Sequence, residues 1–207
     1  MRLSFSGLSC FTDQKFIEEL TSRWPSYTHA GENFYTPDDM TLINSQEEQW
    51  ENMNSIIDTL QDYRNNDHIF FTGSSIDNLI YSMWANAKEF DIEDEFIQKC
   101  MPIVSESMRF LDIIFYTPDS KFNDVEIDEQ YEELQHLYSA VMSKFSEDEA
   151  PFFPKDDRPP VIEIFGDVKS KIEIISLYMD EQGDSIGAQG IIDPNELEDL
   201  EKAFGIK

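Results

Sequence analysis

Arg2-Leu-Ser-Phe-Ser-Gly7, then Leu8-Ser-Cys-Phe-Thr-Asp13, then Gln14-Lys-Phe-Ile-Glu-Glu-Leu20 is the stretch whose reading decides the fold. The first run is strand-like and ends at a glycine. The last places Phe16, Ile17 and Leu20 on one stripe, the spacing of an amphipathic helix that Arg23 and Pro25 bring to a stop. Strand, glycine, loop and helix in that order is where a phosphate loop sits. That loop reads GxxxxGK[ST] because each part has a job. Glycines let backbone N–H groups wrap the phosphates, Lys reaches the β/γ-phosphates, and the hydroxyl residue ligates Mg²⁺. Laid on Gly7, the template finds its first glycine, then Thr12 for the second, Asp13 for the Lys and Gln14 for the Ser/Thr. Asp13 repels a polyphosphate where a cation is needed.

Outward from this unit, short apolar runs alternate with longer amphipathic ones. Strands are expected at His68–Phe71, Asp112–Tyr116 and Pro160–Phe165, with a short one near Ser26 to His29. Helices are expected at Glu47–Arg64, Ser75–Lys88, Ile92–Arg109, Asp128–Lys144 and Lys169–Glu181, with a final short one at Pro194–Ala203. Pro102 predicts a break or kink in the third of these six. Strands spaced by helices imply a parallel α/β sheet of about five strands flanked by helices. Ligands of such sheets lie at the carboxyl ends of the strands, here Gly7, Thr72-Gly73, Thr117 and Gly166.

Charge narrows the function. The 207 residues carry 15 Lys+Arg against 43 Asp+Glu, a net charge of −28. Phosphate-backbone binding needs cations, so a nucleic-acid groove is not expected, and an anionic membrane surface repels the chain. No apolar run approaches the ~20 residues of a membrane span, and the N-terminus turns polar too early for a secretory signal. Two cysteines make no disulfide framework, and His29, His68 and His136 have no metal-ligand spacing. A cytoplasmic protein is the expectation. Phe122 to Glu149 holds nine carboxylates and one Lys, the composition of a solvated helix face.

Several stretches resemble the P-loop nucleotide-kinase proteins of large tailed bacteriophages, relatives of thymidylate and other nucleoside monophosphate kinases. The N-terminus is similar to the family's M-R-I-S-F-S-G-T-S-C-T-G-K-[ST]. Ser75–Ser82, Phe110–Phe115, Pro151–Arg158 and Val161–Gly166 match as well. The resemblance covers roughly residues 1–190 as one domain, with 191–207 as a short helical extension, and implies a three-layer P-loop kinase-like fold. Departures fall on the chemistry. Where relatives carry an Asp-Arg pair after the second long strand, this chain has Thr72-Gly73. Where they carry an arginine-bearing lid, Pro118 to Asp128 is short, with Lys121 as its one cation. Phosphoryl transfer is nearly all positioning and electrostatic stabilisation. The chain thus reads as a kinase fold without kinase chemistry and without assigned catalytic residues.

The resemblance leaves a vestigial phosphate or base site at Gly7, Ser9, Lys15 and Arg158, and a substrate pocket at Asp77 and Tyr81. Each residue has a plainer reading. Lys15 lies beyond the usual cation position, and Arg158 has Asp156 and Asp157 beside it for an ion pair. Helix packing and an N-terminal dipole contact account for Asp77 as well. Cys10 has no residue placed to activate it and reads as packing. Three functions remain open. The first is a pseudoenzyme acting as a binding or regulatory partner in phage nucleotide or DNA metabolism, in the host cytoplasm, with no cofactor and with a protein partner or a second copy bound. The second is a nucleotide-binding protein or kinase that uses Mg-ATP through a non-standard loop. The third is an acidic decoy that mimics nucleic acid.

Overall fold

β1 (Arg2–Ser6) alternates apolar and hydroxyl side chains, and both sets are buried because helices cover both faces of the strand. The computed structural model describes residues 1–8, 14–30, 34, 45–88, 90–118, 129–146 and 158–179. The remaining elements are α1 (Gln14–Arg23), β2 (Thr28–His29), α2 (Gln46–Asp62), β3 (Ile69–Thr72), α3 (Ser75–Ala87), α4 (Asp94–Ser107), β4 (Ile113–Tyr116), α5 (Glu129–Ser146), β5 (Val161–Glu163) and α6 (Val168–Tyr178). All five strands are parallel, in the order β2-β3-β1-β4-β5. Phe5 sits opposite Thr72 on one side and Phe115 on the other, which sets the register of the three central strands.

Layering follows from the alternation. Leu3, Phe5, Phe70, Ile113 and Phe115 face α1 and α6 in one core cluster. Ile69, Phe71, Ile114 and Tyr116 face the helices α2 to α5 in the other. The result is a three-layer α/β fold, as the alternation of strand and helix implied. At the amino ends of the strands, Asp112 accepts hydrogen bonds from Arg2 N at 2.7 Å and Arg2 Nη2 at 2.8 Å, tying β1 to the start of β4.

Boundaries have local causes. Ser45 caps α2 by accepting from Glu48 N at 3.2 Å, and Glu47 and Glu48 suit the positive end of the helix dipole. Asp167 caps α6 by accepting from Ser170 N at 2.8 Å. Pro102 does not end its helix: α4 runs through it. The carbonyl it leaves without an N–H belongs to Gln98, a residue on the exposed side of α4. β5 is shorter than the Pro160–Phe165 run because Gly166 (φ +85°) turns the chain toward α6. Ser9, Cys10, Asp13, Lys121 and the run expected as a helix at Pro194–Ala203 lie outside the described residues.

Candidate functional site

β1 and β3 are neighbours whose onward connections run in opposite directions, β1 to β2 and β3 across β1 to β4. Open α/β sheets bind ligands in the crevice beyond the carboxyl ends of such a pair. Here those ends are Ser6-Gly7 and Thr72-Gly73.

Backbone and hydroxyl contacts stitch the ends together. Gly73 N donates to Phe5 O at 2.8 Å, Thr117 N donates to Ser6 O at 3.0 Å, and Ser4 Oγ donates to Gly73 O at 2.9 Å. Gly7 has φ +105°, and a Cβ on it would lie 2.5 Å from the Thr117 carbonyl oxygen. Only glycine fits there. Packing of β1 against the turn after β4 therefore demands this glycine, whether or not a phosphate is bound.

Asp77 closes the crevice from below. It lies in the first turn of α3, with no exposed surface. Its Oδ2 accepts from Ser74 N at 2.7 Å and from Ser74 Oγ at 2.9 Å, the reach-back arm of a capping box with Asp in the Glu position. Ser6 Oγ at the end of β1 donates to Asp77 Oδ1, and the Tyr138 hydroxyl of α5 also bears on the carboxyl. Burial pushes this carboxyl above the usual aspartate range, outweighing the bonds from Ser6, Ser74 and Tyr138 that favour the charged form.

Further buried polar groups line α3. Asn78 Nδ2 and Ser82 Oγ both donate to Gln49 Oε1 of α2, at 3.2 and 3.3 Å. Ser75 Oγ and Ser107 Oγ of α4 share a hydrogen bond at 2.6 Å. Across the sheet, His29 stacks on Phe70 with ring centroids 4.7 Å apart, and its Nε2 lies 3.2 Å from Thr72 Oγ1. Burial pushes the His29 imidazole below its usual range, so it is neutral at neutral pH.

The described residues singled out by sequence lie on different elements. Gly7 stands at the crevice. Lys15 is exposed on the first turn of α1. Asp77 and Tyr81 are both fully buried on α3, and Tyr81 meets Tyr138 edge-on at 6.0 Å. Arg158 is half-buried, its guanidinium 5.5 Å over the Phe145 ring. Sequence reading missed Ser6, Ser74 and Tyr138 as the partners of Asp77. One signal was available. Serines at 4 and 6 of a strand buried on both faces must find hydrogen-bond partners across the crevice.

Order, direction and layering of the sheet make a three-layer α/β fold of the P-loop kinase-like type. Two solved structures share it. The chain is similar to the NadR protein in complex with NR (TM-score 0.54, 10% identity, 100% of this chain and 52% of that one). It is similar as well to deoxyadenosine kinase from M. mycoides with bound dATP (TM-score 0.55, 14% identity, 84% of this chain and 97% of that one). The chain thus spans about half the length of the NadR chain. No protein-family model matches the sequence, nor does any curated protein.

Proposed function

We propose that this chain is a nucleotide-kinase fold that has given up phosphoryl transfer and serves as a binding or regulatory partner in phage nucleotide or DNA metabolism. One observation carries the reading. The described residues that follow the three central strands are Gly7 and Leu8, Gly73 and Ser74, Thr117 and Pro118, and none has a charged side chain. Asp77, a carboxyl joined to these ends through Ser6 and Ser74, is fully buried with both oxygens engaged.

Mg-ATP, the group this fold implies, needs a carboxylate or hydroxyl for its metal and cations for its phosphates. Those residues do not fit it: they hold no cation, and their hydroxyls, on Ser74 and Thr117, are fully buried. In sequence, Asp13 and Gln14 stand where Lys and Ser/Thr are required. Lys15 is one residue further along, and its exposure on α1 favours residual nucleotide binding as the second reading.

Calorimetric titration separates the two. Mg-ATP and dATP, the latter being the ligand of the deoxyadenosine kinase neighbour, are expected to give no heat of binding at micromolar concentrations. Micromolar affinity would overturn the proposal. Changing Thr12→Gly, Asp13→Lys and Gln14→Thr together should raise ATP affinity without restoring turnover, because Thr72-Gly73 still supplies neither acid nor arginine.

A further inference from the structure

Lys171 is, among the described residues, the one buried Lys or Arg, at 7% exposure. In a chain of net charge −28 such a cation is expected to have taken an acid. Other cations have done so: Arg2 lies 2.8 Å from Asp112, Lys169 lies 3.6 Å from Glu173, and Lys88 pairs with Glu133. No carboxylate among the described residues stands within ion-pair reach of Lys171. Its ammonium lies instead over the Phe16 ring, 5.9 Å from the centroid.

Topology says which end of the sheet this is. β1 and β5 run parallel, α1 follows β1 and α6 follows β5, so both helices begin at the carboxyl ends of the strands. Phe16 is the third residue of α1 and Lys171 the fourth of α6, and both helices cover the same face of the sheet. The ammonium therefore stands beside the first turns of both, where each helix dipole is positive. Neither first turn holds an acid, whereas those of α2, α3 and α4 hold Glu47 and Glu48, Asp77, and Asp94 and Glu95. Asp167, before α6, is engaged in its own cap with Ser170 N and Oγ.

We propose that Lys171 anchors an anion site beside the first turns of α1 and α6, and that its ligand is the phosphate group of a small molecule, held without metal.

The chemistry is that of a point charge. An ammonium buried without a counter-charge costs free energy, and an arriving anion removes that cost. Lysine binds phosphate in this way, as a compact charge rather than a fork. Lys15, exposed in the first turn of α1, adds a second positive charge at this end of the helix pair. Asp13 stands just before α1 in the sequence and opposes a polyphosphate, so the ligand is a single phosphate group. The plainer account is a lysine stem that covers Phe16 and turns its head to water. That account predicts no anion binding.

The inference rests on the proposed function in one respect, that a phosphate is held here and not transferred. Its test uses neither ATP nor Mg²⁺, so either can fail alone. Inorganic phosphate is titrated at an ionic strength held constant with chloride, and amide NMR shifts are followed. Wild type should show saturable shifts centred on residues 14–17 and 168–172, with a Kd on the order of 1 mM. Lys171→Met keeps a stem over Phe16 and should weaken binding at least about tenfold, the loss of one charge-assisted contact. Lys169→Met, an exposed neighbour, should weaken it no more than about threefold. A nucleoside monophosphate titrated alongside names the source: equal affinity supports free phosphate as the ligand, and tighter binding supports a phosphate ester. No saturation at about fifty times that Kd, wild-type shifts centred on other residues, or equal affinity in Lys171→Met would each overturn the site. Where the shifts fall is read on the wild type, so the proposal stays testable even if Lys171→Met does not fold.

Discussion

The two faces of the sheet are held by different physics. Toward α1 and α6, Phe5 is fully buried at the centre of an aromatic cluster, 5.3 Å from Phe16, 5.9 Å from Phe70 and stacked on Phe115 at 5.4 Å. Toward α3, the same strand presents Ser4 and Ser6 to a seam of Ser74, Asp77, Asn78 and Gln49, every one at most 1% exposed. Aromatic burial stabilises by area, on the order of 1.5–3 kcal/mol per ring, and is indifferent to pH. A buried polar seam contributes about 1 kcal/mol per matched bond and costs more than that when one partner is lost or changes charge. Of these two faces, the α3 side is therefore the more sensitive to a lost partner or a change of charge.

That contrast can be broken at its strongest point first. Phe5→Ala should lower stability by about 3–5 kcal/mol in urea unfolding, equally at pH 6 and pH 8. A loss under 1 kcal/mol would mean that the aromatic face is not the main support. Gly7→Ala comes next. Positive φ alone costs on the order of 1–3 kcal/mol, and contact with the Thr117 carbonyl adds to it. The loss should be the same with and without nucleotide, since packing rather than a phosphate requires the glycine.

On the polar side, Ser107→Ala strands a buried Ser75 hydroxyl and should cost about 1–3 kcal/mol. Ser75→Ala together with Ser107→Ala should cost less than the sum of the two single changes, and strict additivity would show that the pair is not coupled. The smallest effect belongs to the rim. Burial pushes the Asp112 carboxyl up, but hydrogen bonds and charge from Arg2, with the N-terminal ammonium, hold it below its ordinary value. A depressed carboxyl stabilises above its unfolded pKa and loses that contribution as pH falls through the folded one. The pair is partly exposed, so the loss between pH 4 and pH 2 should be at most about 1 kcal/mol, and absent in Asp112→Asn.

Much of the fold was legible because parallel strands buried on both faces read as short apolar runs. Ile69–Thr72 and Ile113–Tyr116 are such runs, fully buried along their length. Helix stripes follow the 3.6-residue period: in α2, Met53 and Leu60 are buried, and Trp50 and Ile57 pack partly buried against the same core. Pro102 does not break α4, because propensity says nothing about which side of a helix faces water. The site was less legible. Ser6 and Asp77 are separated by 71 positions, and only the placement of β3 beside β1 brings them together. Asp77 was visible as a candidate from its helix, but its inward direction depends on Ser74 capping the same turn and on Tyr138 arriving from α5. Neither follows from local sequence.

Transfer of labelled γ-phosphate from ATP to a panel of nucleosides and nucleoside monophosphates, with Mg²⁺ present, tests the central claim most directly. If the chain has given up phosphoryl transfer, as proposed from strand ends whose described residues carry no charged side chain, no transfer above the enzyme-free background is expected for any acceptor. Turnover on the order of 1 s⁻¹ or faster with even one acceptor, within the ordinary range of enzymes, would contradict it.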